Sequence, residues 1–392
     1  MVNIFFKFTC CSSPRSLETS NEERTRIANK ETMRAKPEIA VNKKSHEKIS
    51  ISATQQSIPS DIVMEILSWL PVKYVLRMKC VCRQWYTSTQ DCLFIEKHMS
   101  RHRIKCSYNK IPITPPGNSQ DNFQLICGCN GMLLKKRNAS NKFLIMNNAT
   151  HQMLELPDPH KNSFGMTFSF VPSSGCYKLV SIYDDNEETG NEGCEILTIG
   201  SDNSWRTINF PSLNDANKKR EKIMVVSAGE AVHCIKINKF RTCFCAEMVS
   251  LDLESESFKS TIMPKGLFSN WEKVWALDWN GCLSFAVRVE EVINVVVLED
   301  YKKLKWGEEK IAIPLAFTNS TPNLMEDLIP LFAQNGDLWF WVKDKKFFAY
   351  NIESGKINCI ISDPEASKME KCGFYVGPSS LINLKGMQPV KK

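Results

Sequence analysis

The hydrophobic rhythm of this chain changes twice. Up to about residue 52 the segment is rich in Ser, Thr, Asn, Glu, Lys and Arg and shows no periodic apolar pattern after Phe8, so a disordered tail is expected over 1–52. From Ile58 onward apolar residues recur at helical spacing. Ile62, Val63, Ile66, Leu67 and Leu70 predict one apolar stripe on a first helix, with Ser60 offering a cap. Asp61 and Glu65 suit the positive end of its dipole. Leu70-Pro71 should end that helix, because the residue before proline is pushed out of the helical region. A second short helix is expected from Pro71, showing Val72, Val75, Leu76 and Cys80. A third runs from about Val81 to Met99, with Trp85, Leu93, Phe94, Ile95 and Met99 as its apolar residues. Ile58–Trp85 is too short to bury such a surface alone, since chains below roughly 40 residues rarely form a self-sufficient core. Either the rest of the chain or a partner must cover it.

From about residue 121 the pattern becomes short apolar or alternating runs between turn residues. Strands are predicted at Phe123–Cys127, Met132–Leu134, Phe143–Met146, Lys178–Tyr183, Glu195–Ile199, Ala231–Ile237, Glu247–Leu253, Val274–Asp278, Leu283–Val289, Asn294–Leu298, Leu338–Val342 and Phe347–Asn351. A loose unit recurs: a turn into a strand, a strand near Asn or Asp, then a short strand often ending at proline. It starts at Cys129-Asn130-Gly131, Gly229, Trp279-Asn280-Gly281 and Asn335-Gly336. About 265 residues at roughly 40–45 per repeat give about six degenerate blades, which favours a propeller over an irregular sandwich.

Composition narrows the class. Among 392 residues, 43% are hydrophobic and 24% charged, as in ordinary globular chains. No apolar run reaches about 18 residues, so no membrane span is expected. Met1–Cys11 is apolar but short and broken by Lys7, which argues against a signal peptide. Val2 rules out a myristoylation motif, while Cys10 and Cys11 leave acylation as an open alternative. The 16 cysteines form C-x-C pairs at Cys80/Cys82, Cys127/Cys129 and Cys243/Cys245 without zinc-site spacing. They read as reduced, mostly buried thiols of a cytoplasmic or nuclear protein. The net charge of +7 is mild. Basic clusters at Lys218-Lys219-Arg220, Lys302-Lys303-Lys305 and Lys343-Lys345-Lys346 lie apart and read as solvated loops rather than a nucleic-acid surface.

Catalytic chemistry is thin. His98 and His102 are four apart, a metal-compatible spacing, but without further ligands they read as surface histidines. Asp184, Asp185, Glu187 and Glu188 lack calcium-loop spacing and read as an exposed hairpin loop. No phosphate-binding glycine loop or nucleophile elbow is present. No cofactor or metal is expected, and the chain reads as non-catalytic.

Ile58-Pro59, Asp61-Ile62, Glu65-Ile66-Leu67, Leu70-Pro71-Val72-Lys73, Leu76-Arg77, Cys80-Val81-Cys82 and Trp85 resemble the F-box in register. Asp91-Cys92-Leu93-Phe94-Ile95 resembles the turn that follows it, with Cys92 where proline is usual. The later landmarks resemble the plant F-box-associated domain. These are Cys129-Asn130-Gly131-Met132-Leu133, Phe170-Val171-Pro172 with Tyr177-Lys178-Leu179-Val180, Ser204-Trp205-Arg206, and Val296–Tyr301 followed by Trp306. Val171 replaces the family's aspartate, and the aromatic of the last strand is absent. The resemblance covers residues 58 to about 385. It implies an α+β multidomain protein: a three-helix F-box at 53–100, a linker at 101–120, a mostly β, propeller-like (kelch-like) domain at 121–385 and a tail at 386–392. It also implies a substrate receptor that binds a Skp-family adaptor, and through it a cullin, and that presents an unknown protein target to a ubiquitin ligase. Carried over by position, Pro59, Ile62, Ile66, Leu67, Leu70, Pro71, Val72, Leu76, Val81, Cys82 and Trp85 are adaptor-facing or module-core residues. For the target, Trp271 is the favoured contact, with blade core as its alternative, and Trp275 stands beside it. The competing readings are a β-propeller enzyme and an adaptor-bound scaffold outside proteolysis.

Overall fold

The computed structural model describes residues 58–102, 123–186, 191–211, 219–240, 243–263, 273–308, 310–315, 328–334, 336–342, 346–362 and 379–390. The expected N-terminal tail, nearly all of the expected linker, and Trp271 lie outside these residues.

Residues 58–102 form four helices, α1 (Ser60–Ser68), α2 (Val72–Met78), α3 (Arg83–Ser88) and α4 (Cys92–His102), where three were expected. The third element divides because Asp91 starts a new helix. Its Oδ1 accepts the Leu93 backbone N–H at 2.8 Å and the Phe94 N–H at 3.4 Å, which satisfies two donors that a helix start leaves open. The cap of α1 also differs from expectation. Pro59 holds the cap position with no side-chain cap bond, and Ser60 is already helical. Proline 71 stands at the corresponding position of α2.

The β region is a chain of antiparallel meanders. The first contains β1 (Phe123–Cys129), β2 (Met132–Arg137), β3 (Phe143–Asn147) and β4 (Gln152–Glu155); the second β5 (Ser163–Val171), β6 (Cys176–Asn186), β7 (Asn191–Thr198) and β8 (Arg206–Ile208). The third holds β9 (Lys219–Ala228), β10 (Ala231–Phe240), β11 (Cys243–Asp252) and β12 (Phe258–Ile262). In the fourth, β13 (Val274–Trp279), β14 (Cys282–Val289) and β15 (Val292–Asp300) end on a divided outer strand, β16 (Lys305–Trp306) and β17 (Ile311–Pro314), both paired to β15. The fifth is β18 (Leu328–Gln334), β19 (Asp337–Val342), β20 (Lys346–Asn351) and β21 (Lys356–Ser362). The expectation of about six blades thus meets five meanders among the described residues.

First strands neighbour one another in chain order: β1 by β5, β5 by β9, β9 by β13, and β13 paired in parallel to β18 at Trp279 and Ala333. Strand pairing among the described residues does not join the fifth meander to the first. Instead β22 (Gln388–Pro389) adds to the outer edge of β4. Ordered β structure therefore continues past residue 385, where the sequence suggested a tail.

Alternation along each strand decides which neighbour it packs against. On β6, Leu179 enters the cluster between the first and second meanders, and Val180 and Ile182 enter the one between second and third. On β10, Val232 and Cys234 face back, while Ile235 and Ile237 face forward into the third–fourth cluster. The fourth and fifth share Leu277, Ala286, Ile293, Leu338 and Phe340. Trp275 packs against that cluster, so it belongs to the blade interior. Because both faces are covered, these strands read as continuous apolar runs.

Candidate functional site

Helix α1 is apolar on two faces. Leu67 is buried in the helical module with Val72, Val75 and Phe94, and Val63 and Leu70 pack beside them. Ile62, Ile66 and Trp69 occupy another face and remain 48%, 54% and 58% exposed. The single stripe read from the sequence is therefore two stripes: Val63, Leu67 and Leu70 inward, Ile62 and Ile66 outward. The spacing of four and three residues keeps the outward set aligned along the helix.

The outward face is held by a polar brace. Glu65 accepts from Lys97 and Arg101 of α4, and these two bonds pull its pKa down to about 2. Arg101 also donates to the Glu65 carbonyl at 3.1 Å and to Ser68 Oγ. Its guanidinium lies 4.3 Å from the Trp69 ring centre, and Trp69 Nε1 donates to Glu65 Oε1 at 3.3 Å. The exposed indole is thereby fixed in place before any partner arrives.

The structure separates the roles that position alone left joined. Pro59, Ile62, Ile66, Pro71, Val81 and Cys82 are exposed; Leu70, Leu76 and Trp85 are half-buried; Leu67 and Val72 are buried. The buried pair faces the module's own core, so any influence on a partner runs through helix packing. Sequence reasoning did not single out Trp69, Tyr74 or Tyr86, all exposed, and it named Leu93 only as an apolar residue of the third element, although Leu93 is 72% exposed. Leu93 and Phe94 line a groove of about 460 Å³ with Met64, Thr87, Ser88, Asp91 and Lys97. The discoverable signal was the aromatic or apolar character of these residues on a helix already full of core positions.

His98 differs from its reading as a surface histidine. It is fully buried, its Nε2 lies 2.8 Å from the Leu70 carbonyl, and its ring lies tilted against that of His102 with centres 4.2 Å apart. Burial pushes its pKa down to about 4. The pair ties α4 to the end of α1. Among the described residues no group of three or more metal-ligating side chains converges. The cysteine reading also needs adjusting, because Cys80, Cys82 and Cys92 are exposed on the helical module, while Cys127, Cys194 and Cys234 are buried.

In the β domain the sequence landmarks sit at blade junctions. Asn130 Nδ2 donates to Tyr177 OH at 3.0 Å, joining the first and second meanders. Trp205 Nε1 donates to the Pro157 carbonyl at 2.9 Å across the same junction. Arg206 forks onto Glu256 at 3.0 Å on each oxygen, and Lys178 reaches Glu256 at 2.8 Å, tying the second to the third. Tyr301 OH donates to Asp252 at 2.9 Å between third and fourth. These residues staple blades rather than line an open site. Among the basic clusters, Lys302, Lys303 and Lys305 each meet a carboxylate. Of the acidic stretch, Asp184 and Asp185 lie on β6, where Asp184 pairs in register with Glu192, and Glu187 and Glu188 fall outside the described residues.

The family described as "F-box associated beta propeller domain" matches residues 80–371, and the F-box domain matches residues 56–97. A putative F-box protein of Arabidopsis thaliana is 25% identical over 342 residues, covering 75% of this chain and 82% of its own length. A second Arabidopsis F-box protein is 22% identical over 380 residues, covering 80% and 89%. A third is 25% identical over 309 residues, covering 69% and 76%. Among solved structures, Saccharomyces cerevisiae Sqt1 overlaps 64% of this chain and 74% of its own at 11% identity, with a TM-score of 0.29, too low to carry an argument.

Proposed function

Because the chain belongs to the F-box-associated β-propeller family and carries an F-box domain at residues 56–97, we propose that it is the substrate receptor of a Skp–cullin–F-box ubiquitin ligase. The carrying observation is the distribution of exposed apolar side chains. Among the described residues, Ile58, Ile62, Ile66, Trp69, Tyr74, Val81, Tyr86 and Leu93 all lie on the helical module, against only Ile262 and Val289 in the much larger β domain. A helical module that concentrates exposed apolar side chains, with the Trp69 indole braced in place, is what a protein partner covers. In this reading Ile62 and Ile66, with Pro59, Pro71, Val81 and Cys82, contact a Skp-type adaptor that binds a cullin. Leu70, Leu76 and Trp85 contribute their open edges, and Leu67 and Val72 hold the helices in register.

The β domain then holds a protein target. Its mechanism is proximity: a target fixed near the charged ubiquitin carrier experiences a raised effective concentration of the reacting lysine. The receptor itself makes and breaks no bond. Such a role places it in the cytoplasm or nucleus, and Trp271 remains the proposed target contact. The test is co-expression of the full chain with a Skp-type adaptor and a cullin. A stoichiometric three-component species by size-exclusion chromatography with light scattering is expected. A folded chain that elutes alone at micromolar adaptor would overturn the reading.

A further inference from the structure

The helical module and the β domain are joined in sequence through residues 103–122. A second connection comes from more than two hundred residues further along the chain. Leu381 is 2% exposed and sits in the helical core with Leu67, Val72, Val75 and Phe94. Its neighbour Ile382 enters the cluster between the first two meanders, as do Leu384 and Met387. Consecutive side chains thus grip the two domains on opposite sides. From the other direction, Met99 of α4 is buried in that same β cluster, and Ile95 packs against both cores.

The backbone of this segment is clamped as well. Asn147, at the end of β3 and fully buried, donates Nδ2 to the carbonyls of Ser380 at 3.1 Å and Ile382 at 2.8 Å. Its Oδ1 accepts the N–H groups of Ala149 at 3.0 Å and Thr150 at 3.3 Å. Ser380 Oγ, also buried, accepts the Ile382 N–H at 3.0 Å. Val390 N–H donates to the His151 carbonyl at 2.9 Å, and Gln388–Pro389 pair with β4. One amide therefore uses its donors to hold an irregular segment that carries side chains into two cores, while its oxygen is fixed by the turn that follows β3.

We propose that residues 380–387 form a positioning clamp that locks the helical module to the first blade, with Leu381 as the bolt and Asn147 as the catch. Domains joined by a linker alone move relative to one another unless a sizeable apolar contact stops them. Here the clamp supplies that contact. Its consequence rests on the receptor reading: a locked angle sets the distance between the adaptor face and whatever the β domain holds, and so which target lysines come within reach. Leu381, Asn147 and Met99 are then positioning residues, acting through domain orientation.

The lock can be tested without adaptor or target. Spin labels on noncanonical residues at Glu96 and Lys303, both exposed, report the distance between helical module and β domain in the full chain. Wild type should give one narrow distance distribution by double electron–electron resonance. Leu381→Ala should broaden it about twofold at a temperature well below melting, because the interface becomes too small to hold the domains. Leu381→Met, which conserves volume, should restore the narrow distribution. Asn147→Asp keeps the shape but turns a donor pair into oxygens facing two carbonyls, and should broaden it too. If Asn147→Asp fails to fold, the Leu381 pair still decides. A broad wild-type distribution, or a narrow one in Leu381→Ala, would overturn the clamp. Adaptor binding measured on Leu381→Ala should stay within about threefold of wild type, so loss of the lock and failure of the receptor reading give different results.

Discussion

Replacing Ile62 and Ile66 together by Ala tests the outward stripe quantitatively. Each substitution removes three carbons, worth about 2.4 kcal/mol if fully buried at roughly 0.8 kcal/mol per methylene. Within the chain about half of each side chain is already covered, since 48% and 54% remain exposed. An adaptor that covers the open half therefore gains about 1.2 kcal/mol per residue, or about sevenfold in Kd. The double variant should lose roughly 50-fold if the neighbouring sites add. The covered half lowers the stability of the helical module by roughly 1 kcal/mol per site, so binding is measured by calorimetry at a temperature where circular dichroism shows both proteins folded. Leu67→Ala provides the contrast. At 3% exposure it offers a partner no surface, and its cost of about 2–5 kcal/mol should appear in melting first. A folded double variant that binds within about twofold of wild type would refute the assignment of this face.

Other outcomes follow from buried groups. Lys236 and Glu192 form a buried pair, so Lys236→Met should cost about 3 kcal/mol in urea unfolding, and adding Glu192→Leu should recover most of it. His98 and His233 are both buried with pKa values lowered to about 4. Between pH 6.5 and 4 the unfolded chain binds more protons, so stability present above pH 6.5 should be lost on acidification, by roughly 2–3 kcal/mol per histidine; thermal melts of His98→Gln should show a shallower pH dependence. Gly229 has φ +60°, and an added Cβ would lie 2.9 Å from the Gly281 carbonyl oxygen. Gly229→Ala should therefore destabilise by about 1–3 kcal/mol, whereas Gly175→Ala, with φ +64° but open space around it, should cost only the backbone share.

Local pattern determined a good deal of this protein. Period-two runs and Asn-Gly turns placed the strands at Met132, Leu283 and Leu338, and the proline at 71 separated α1 from α2. The motif register placed the helical module, and the F-box family match covers residues 56–97. Other elements escaped for identifiable reasons. Strand β5 follows the loop after β4 without a glycine signal, and its hairpin at Pro172–Gly175 lacks the Asn-Gly pair that marked other units. The Val81–Met99 run hid a break, because Asp91 caps through geometry that composition does not display.

Only the tertiary structure could sort α1 into an inward and an outward face. Helical periodicity fixes which residues share a side, but not which side meets a neighbour. The same holds for His98, whose burial depends on the Leu70 carbonyl 28 positions away. It holds most strongly for Ser380 and Ile382, which meet Asn147 across 233 and 235 residues. Periodicity and turn propensity act over a few neighbouring residues, so they specify elements. Pairing between elements depends on surface complementarity and on the entropy of closing long loops, and becomes defined only when the whole chain has packed.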